Sequence, residues 1–303
     1  MQKQRVDKLQ NSNQPVVSVS VVTYNSSKTV VETLDSIYNQ TYEKLELIVS
    51  DDCSTDNTIE ICREWIEAHK ERFVRTELLT VEKNTGVAAN MNRAANACRG
   101  EWVKDIAGDD VLLPDCVETY VDYVKKNPEV VYMFANVDIF GGDEGDRAYW
   151  EDYFSIEREF FSWSNEKQYD YLTLEGCHIP AATAFYNRGK LVELGVRNDE
   201  RIPFLEDRPK WINLLKAGVH FDYINKVTVR YRLSDSSLWR HAPEKFIKSQ
   251  AKVYLYYCFR NDFKKRSKKK AILKWIRSQR TIHDNAVAWR MVSKLYRTVF
   301  GLQ

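Results

Sequence analysis

Three short polar strings are where this 303-residue sequence places groups that could do chemistry: Thr23-Tyr24-Asn25, Asp51-Asp52-Cys53-Ser54-Thr55-Asp56 and Asp109-Asp110. Each follows an apolar run. Carboxylates gathered in one place repel each other, and repel any phosphate, unless a divalent cation sits among them. Mg²⁺ or Mn²⁺ takes oxygen ligands, usually one or two carboxylates completed by substrate phosphates and water. Asp109 and Asp110 are therefore natural ligands for a metal and diphosphate together. Asp51 or Asp52 could accept a hydrogen bond from a base N–H, with the backbone of Asn84 and Gly86 close to the base. For any single Asp, capping the next turn or helix is the simpler role. The turn Thr23-Tyr24-Asn25-Ser26 matches neither G-x-G-x-x-G nor G-x-x-x-x-G-K-S/T, which excludes dinucleotide hydride transfer and P-loop ATP hydrolysis.

Regular elements must hold these strings. Val16 to Val22 is a β-branched apolar run that reads as a buried strand, and Val30, Val31, Leu34, Ile37 and Tyr38 follow at helical spacing. Leu45 to Ser50 repeats the strand signal, with Ile59, Cys62, Trp65 and Ile66 marking a second helix. A strand near Leu78 to Val81, a turn over Lys83 to Gly86, an Ala/Asn-rich helix to Cys98 and a strand from Trp102 to Ile106 continue the alternation. This order predicts an α/β fold, a mostly parallel Rossmann-like sheet flanked by helices, with ligands bound beyond the C-terminal strand ends. From Val130 the pattern reads as irregular: a Gly/acid-rich loop (Gly141 to Asp146) and an aromatic stretch (Tyr149 to Tyr171) suggest an acceptor-facing insertion. Trp211, Leu214 and Leu215 then form the apolar face of a late helix ended by Gly218, and a strand-like run leads to Tyr231.

At these strings the chain resembles the family 2 glycosyltransferases of the GT-A fold, over about residues 16 to 235. Val19 to Asn25 is similar to their opening strand and nucleotide-contacting turn, Asp51 to Asp56 to their D-D-G-S-x-D signature, and Asn84-x-Gly86 with Asn92 to the next family segment. Ile106-Ala107-Gly108-Asp109-Asp110 lies where the family has its metal-binding D-x-D-D. The resemblance implies that Thr23, Tyr24, Asn25, Asp51 and Asp52 hold the nucleotide and that Asp109 binds Mn²⁺ or Mg²⁺ with Asp110 close by. Two residues depart from the pattern: Ala107 stands at the first metal-motif Asp and Cys53 at the usual Gly.

Glu206-Asp207 resembles the family's E-D pair at the start of a late helix, where the Asp is expected to be the general base. An acceptor hydroxyl attacking an anomeric carbon must lose its proton, and a carboxylate within hydrogen-bond reach can take it. A helix cap is the competing role. The resemblance further implies a single displacement with inversion. His178 is a candidate contact for acceptor or donor sugar, and Arg232 a candidate clamp for the diphosphate.

From Lys245 to the end there are 16 Lys/Arg against two Asp/Glu, leaving 29 against 41 before that point. Aromatic and apolar residues interleaved with these cations suit helices lying on an anionic membrane surface, and no nucleic-acid motif accompanies them. The expected division is a polar arm (1–14), a catalytic domain (15–240, with a nucleotide half 15–115 and an acceptor half 116–240) and a basic helical region (241–303). With neither a signal-like nor a membrane-spanning apolar run, the protein is expected in the cytoplasm, peripheral at the inner face of the membrane. Six scattered cysteines read as reduced, packed thiols. The expected partners are a nucleotide-sugar donor, UDP-linked by preference, and a glycan or lipid-linked acceptor in bacterial surface polysaccharide synthesis. A sugar nucleotidyltransferase shares a related sheet, but its Gly-rich, Arg-containing phosphate loop is absent. A catalytically inactive sugar-nucleotide or membrane-binding protein is the remaining alternative.

Overall fold

The structure is a computed structural model that describes residues 14–155, 159–174, 178–202, 204–233 and 243–258. Its first half alternates β1 (Val17–Thr23), α1 (Val30–Tyr38), β2 (Leu45–Asp51), α2 (Thr58–His69), β3 (Arg75–Leu79), α3 (Val87–Ala97) and β4 (Trp102–Ala107). Val17, Val19 and Val21 of β1 are fully buried, and so are Ser18 and Ser20 between them, because helices cover both faces. The buried polar groups are satisfied. Ser18 donates to Glu46, whose carboxylate also takes Arg75 at 2.5 Å and the Arg99 N–H at 2.8 Å.

The second half contributes β5 (Val111–Leu112), α4 (Cys116–Lys126), β6 (Tyr132–Gly141), α5 (Glu144–Ser155), α6 (Asn165–Leu174), β7 (Phe185–Asn187), α7 (Arg188–Leu194), α8 (Asp207–Lys216) and β8 (Phe221–Leu233). Among the described residues these strands form one eight-stranded sheet in the order β3-β2-β1-β4-β7-β6-β8-β5. Strands β1 to β4 pair in parallel, and β6 pairs in parallel with β8, whereas short β7 runs antiparallel to both β4 and β6. One core layer joins α1, α2 and α4 to the sheet, and the other joins α3, α6, α7 and α8.

Three expectations are corrected. The third strand starts earlier, at Arg75, and ends at Leu79. The region after Val130 is regular, with β6 as a ten-residue strand whose register against β8 shifts on both sides of Asn136. The aromatic stretch is carried on α5 and α6 rather than on irregular chain. Cys53, Cys62, Cys98 and Cys116 are free, and burial pushes the last three thiols up to about 12.

The C-terminal region begins as α9 (Pro243–Val253), followed by a wide turn, Tyr254–Cys258. This segment packs on the catalytic domain: Tyr257 donates to Asp199 at 2.7 Å, and the Arg208 guanidinium lies 5.1 Å from the Tyr254 ring. The expected polar arm up to residue 13, Ser234 to Ser237 and the basic run from Lys264 onward lie outside the described residues. Among the described residues no helix is long and apolar enough to cross a membrane.

Candidate active site

Parallel register decides where the polar strings meet. Thr23 pairs with Asp51, and Val22 pairs with both Ser50 and Ala107, so the ends of β1, β2 and β4 finish level at one edge. There the loops bond to one another. Asn25 takes φ 53°, a left-handed conformation that Asn tolerates; its N–H donates to Ser54 Oγ at 2.8 Å and its Oδ1 accepts from the Thr55 N–H at 2.8 Å.

Asp51 is fully buried and accepts from Thr23 Oγ1 (2.8 Å), the Ser54 N–H (2.7 Å) and Ser54 Oγ (2.6 Å). Asp52, 3% exposed, accepts from the Thr85 and Gly86 N–H groups (3.0 and 2.7 Å) and from Arg93 at 3.1 Å. Both carboxylates are satisfied by the chain's own donors, and Asp52 holds the Lys83 to Gly86 turn through the Thr85 and Gly86 N–H groups. Tyr24 is 48% exposed at the mouth, and Asn84 is exposed on the turn itself. Arg93, which the sequence reading missed, links Ser50, Asp52 and Asn90; its signal was a basic residue two helical turns beyond Gly86.

Cys53, directly after Asp52, takes φ 67°, which explains why glycine is usual there. Cys53→Gly is expected to leave stability within about 1 kcal/mol of wild type, because relief of the left-handed strain offsets the added chain entropy. Cys53→Val, β-branched at positive φ, is expected to cost about 1–2 kcal/mol more than the glycine variant; urea midpoints of the two test the difference.

Gly108 lets the next loop approach: a Cβ there would stand 2.7 Å from Thr23 Cγ2. Thr29 and Thr33 hydroxyls hold the loop by donating to the carbonyls of Gly108 (2.8 Å) and Asp110 (2.7 Å). Asp110, 2% exposed, accepts from the Arg232 N–H at 2.9 Å, so it is the inward, loop-fixing member of the pair. Asp109 is half-buried, and its carboxylate takes no hydrogen bond from another described side chain. Burial raises the Asp109 carboxyl despite nearby Arg232, and burial plus the charge of Asp109 raises Asp110 well above the carboxylate range. Such a pair is costly to ionise without a cation, and its hard oxygens suit Mg²⁺ or Mn²⁺. Among the described residues no three His, Cys, Asp or Glu side chains form a closed metal cage, so two carboxylates would need diphosphate and water to complete a coordination shell.

Arg232 is placed beside this motif: its Nε donates to the Asp109 carbonyl at 2.7 Å, its guanidinium pairs with Glu32, and it lies 4.3 Å from the Phe140 ring. Glu206 and Asp207 open α8, where Asp207 accepts from the Arg208 N–H at 2.6 Å. Burial, then the charge of Asp207, pushes the Glu206 carboxyl up to about 7, and burial raises Asp207 as well.

Tyr231, also missed in the sequence, lies next to Arg232 on β8; burial first, and then the charges of Asp110, Asp109, Asp207 and Glu206, raise its phenol far above its ordinary value. Trp150 and Phe154 of α5 stand beside the Tyr231 ring at 6.2 and 5.9 Å, and Tyr153 meets His178 edge-on at 4.2 Å. His178 therefore belongs to an aromatic wall next to the carboxylates, where Tyr171 Oη also reaches its Nδ1 at 3.3 Å.

A mostly parallel sheet whose β1, β2 and β4 ends gather the Thr23, Asp51–Asp52 and Asp109–Asp110 loops at one edge, with the Glu206–Asp207 pair opening α8, is the arrangement of a GT-A fold. The glycosyl transferase family 2 profile matches residues 18–195, and the chain belongs to that family. It is a glycosyltransferase. It is 32% identical over 133 residues to chondroitin synthase of Escherichia coli, covering 44% of this chain and only 18% of that one. An uncharacterized glycosyltransferase of Methanocaldococcus jannaschii is 27% identical over 83% of this chain and 81% of its own length. The E. coli enzyme WfgD, a UDP-Glc:alpha-D-GlcNAc-diphosphoundecaprenol beta-1,3-glucosyltransferase, is 28% identical over 74% and 79%. Among solved structures, the mannosyltransferase PcManGT of Pyrobaculum calidifontis, in complex with GDP-Man and Mn²⁺, superposes with TM-score 0.64 at 18% identity over 99% of this chain and 89% of that one. S. aureus TarS with UDP-GlcNAc gives 0.62 at 17% identity over 88% and 73%.

Proposed function

We propose that this enzyme moves a sugar, with inversion, from a UDP-sugar to a hydroxyl of a glycan or lipid-linked acceptor in bacterial surface polysaccharide synthesis. The observation that carries the reading is the level register of β1, β2 and β4, which brings the Thr23 turn, the Asp51–Asp52 loop and the Asp109–Asp110 loop to one edge, with Arg232 of β8 bonded to both residues of the last pair. Thr23, Tyr24 and Asn25 with the loops shaped by Asp51 and Asp52 hold the nucleoside, and Asn84 and Gly86 border it. Asp109 and Asp110 would hold Mn²⁺ or Mg²⁺, which neutralises the diphosphate as it leaves.

Asp207, with Glu206 beside it, accepts the proton of the acceptor hydroxyl while that oxygen bonds to the anomeric carbon and the bond to the diphosphate oxygen breaks. Attack from the side opposite the leaving group inverts the centre. The wall of Trp150, Tyr153, Phe154 and His178 supplies ring faces against which the C–H groups of an acceptor sugar can pack. WfgD, named for a diphosphoundecaprenol-linked sugar acceptor, supports a lipid-linked acceptor, and the basic residues from Lys245 onward support peripheral contact with an anionic membrane at the cytoplasmic face.

Titration calorimetry with UDP, GDP, CDP and dTDP, each with Mn²⁺ or with chelator, tests the donor side. UDP binding that needs Mn²⁺ is expected. Preference for GDP would replace the donor class, and no binding of any nucleotide would sink the reading.

A further inference from the structure

Two buried ionisable side chains, Lys210 and Asp105, have no part in the chemistry described so far. Lys210 is 5% exposed and follows Asp207 by three residues in α8, which puts both on one helix face. Asp105 is 7% exposed on β4, four residues before Asp109. Lys210 Nζ lies 3.8 Å from Asp105 Oδ2 and over the rings of Tyr132 and Tyr186 at 5.8 and 5.5 Å. The cage is braced from behind: Tyr186 Oη donates to Asp105 Oδ1 at 3.3 Å, and Trp211 Nε1 donates to Tyr132 Oη at 3.1 Å.

We propose that Lys210, anchored by Asp105 and the two tyrosines, is the positioning residue of the catalytic base: it keeps the Glu206–Asp207 pair ionised and aimed, and ties α8 to the strand that carries the metal ligands. This rests on the reading of Asp207 as base. A buried ammonium costs several kcal/mol unless it is paired, so an ion pair at this place calls for a role beyond filling space. Asp105 offsets the charge of Lys210 without sitting at bonding distance, which leaves the cation acting on the carboxylates as well. Both Glu206 and Asp207 are drawn toward ionisation by Lys210.

The other charged and titratable groups facing the pair do not replace it. Arg208 favours ionisation of Asp207 alone and is held by the Leu172 carbonyl at 2.8 Å and the Tyr254 ring, while Tyr231, its phenol raised far above its ordinary value, stays neutral. Asp105, Tyr132 and Tyr186 face Lys210 itself.

The two partners predict opposite shifts, which simple cementing of α8 onto β4 does not. Side-chain ¹³C carboxyl NMR of the full chain, assigned through Glu206→Gln and Asp207→Asn, reads the midpoint of the pair without any substrate. Lys210→Met is expected to raise it by about one pH unit or more, as removal of a unit charge within a helical turn implies at an effective dielectric constant near 20. Asp105→Asn is expected to lower it, and Lys210→Arg to keep it. Midpoints that stay put, or move the same way in Lys210→Met and Asp105→Asn, would overturn the proposal. If Lys210→Met fails to fold by circular dichroism, Asp105→Asn decides: a fall supports the proposal and no shift overturns it. Failure of the base assignment shows separately, as turnover that survives Asp207→Asn.

Discussion

Asp109→Ala is expected to lower kcat/KM by about 10³-fold and to abolish Mn²⁺-dependent nucleotide binding, since each preorganised group facing developing charge contributes about 10²–10³ and a metal several kcal/mol. The reason is geometric. Asp110 spends one carboxylate oxygen on the Arg232 N–H, whereas Asp109 faces the site without a donor from another described side chain. With Ala107 in the place of a third carboxylate, the motif keeps only the second Asp110 oxygen when Asp109 is lost. Asp110→Asn, which can still accept from Arg232, is expected to keep the loop and lose less. Initial rates across a Mn²⁺ titration, with the metal followed by electron paramagnetic resonance, compare the variants; an Asp109→Ala enzyme with unchanged Mn²⁺ affinity would remove Asp109 from the metal site.

Asp207→Asn is expected to lower kcat by about 10²–10⁴-fold, the range for a lost general base. The pair should also set the pH dependence. Burial raises both carboxyls, and the charge of Asp207 adds to it at Glu206, which reaches about 7; a base works only when ionised. The kcat/KM profile is therefore expected to be flat above about pH 7 and to fall as pH drops through that value. Glu206→Gln removes the repelling charge, so its acid limb should move to lower pH while much of the rate remains. Rate profiles from pH 5 to 9 check this; an acid limb unchanged in both variants would show that another group takes the proton.

The two predictions draw on different kinds of information. Thr23, Asp51 and Asp109 were legible as a set because each is the polar end of an apolar run, and strand alternation with helices predicts that such ends share one edge. The general-base candidate was legible only through the order of Glu206 and Asp207 relative to the other strings. Tyr231 and Lys210 were not legible: a tyrosine in a strand and a lysine in a helix carry no local signal. Their roles come from β8 passing the Asp109–Asp110 turn and from α8 packing on β4, contacts between residues more than a hundred positions apart. The strand β6 was not recognised because Tyr132 to Ala135 are all buried and show no two-residue period, and the register shift at Asn136 exists only in its pairing with β8.

By itself the sequence determined the α/β class, the edge at which ligands bind and most of the acidic groups there, because hydrophobic period and chain order are local properties. Tertiary structure alone decided that Asp110 is buried against the Arg232 N–H while Asp109 is less buried, that Asp51 and Asp52 are engaged by the chain's own donors, and that Lys210 meets Asp105. Those outcomes depend on burial and on charges brought together across the sheet. No window along the chain contains them.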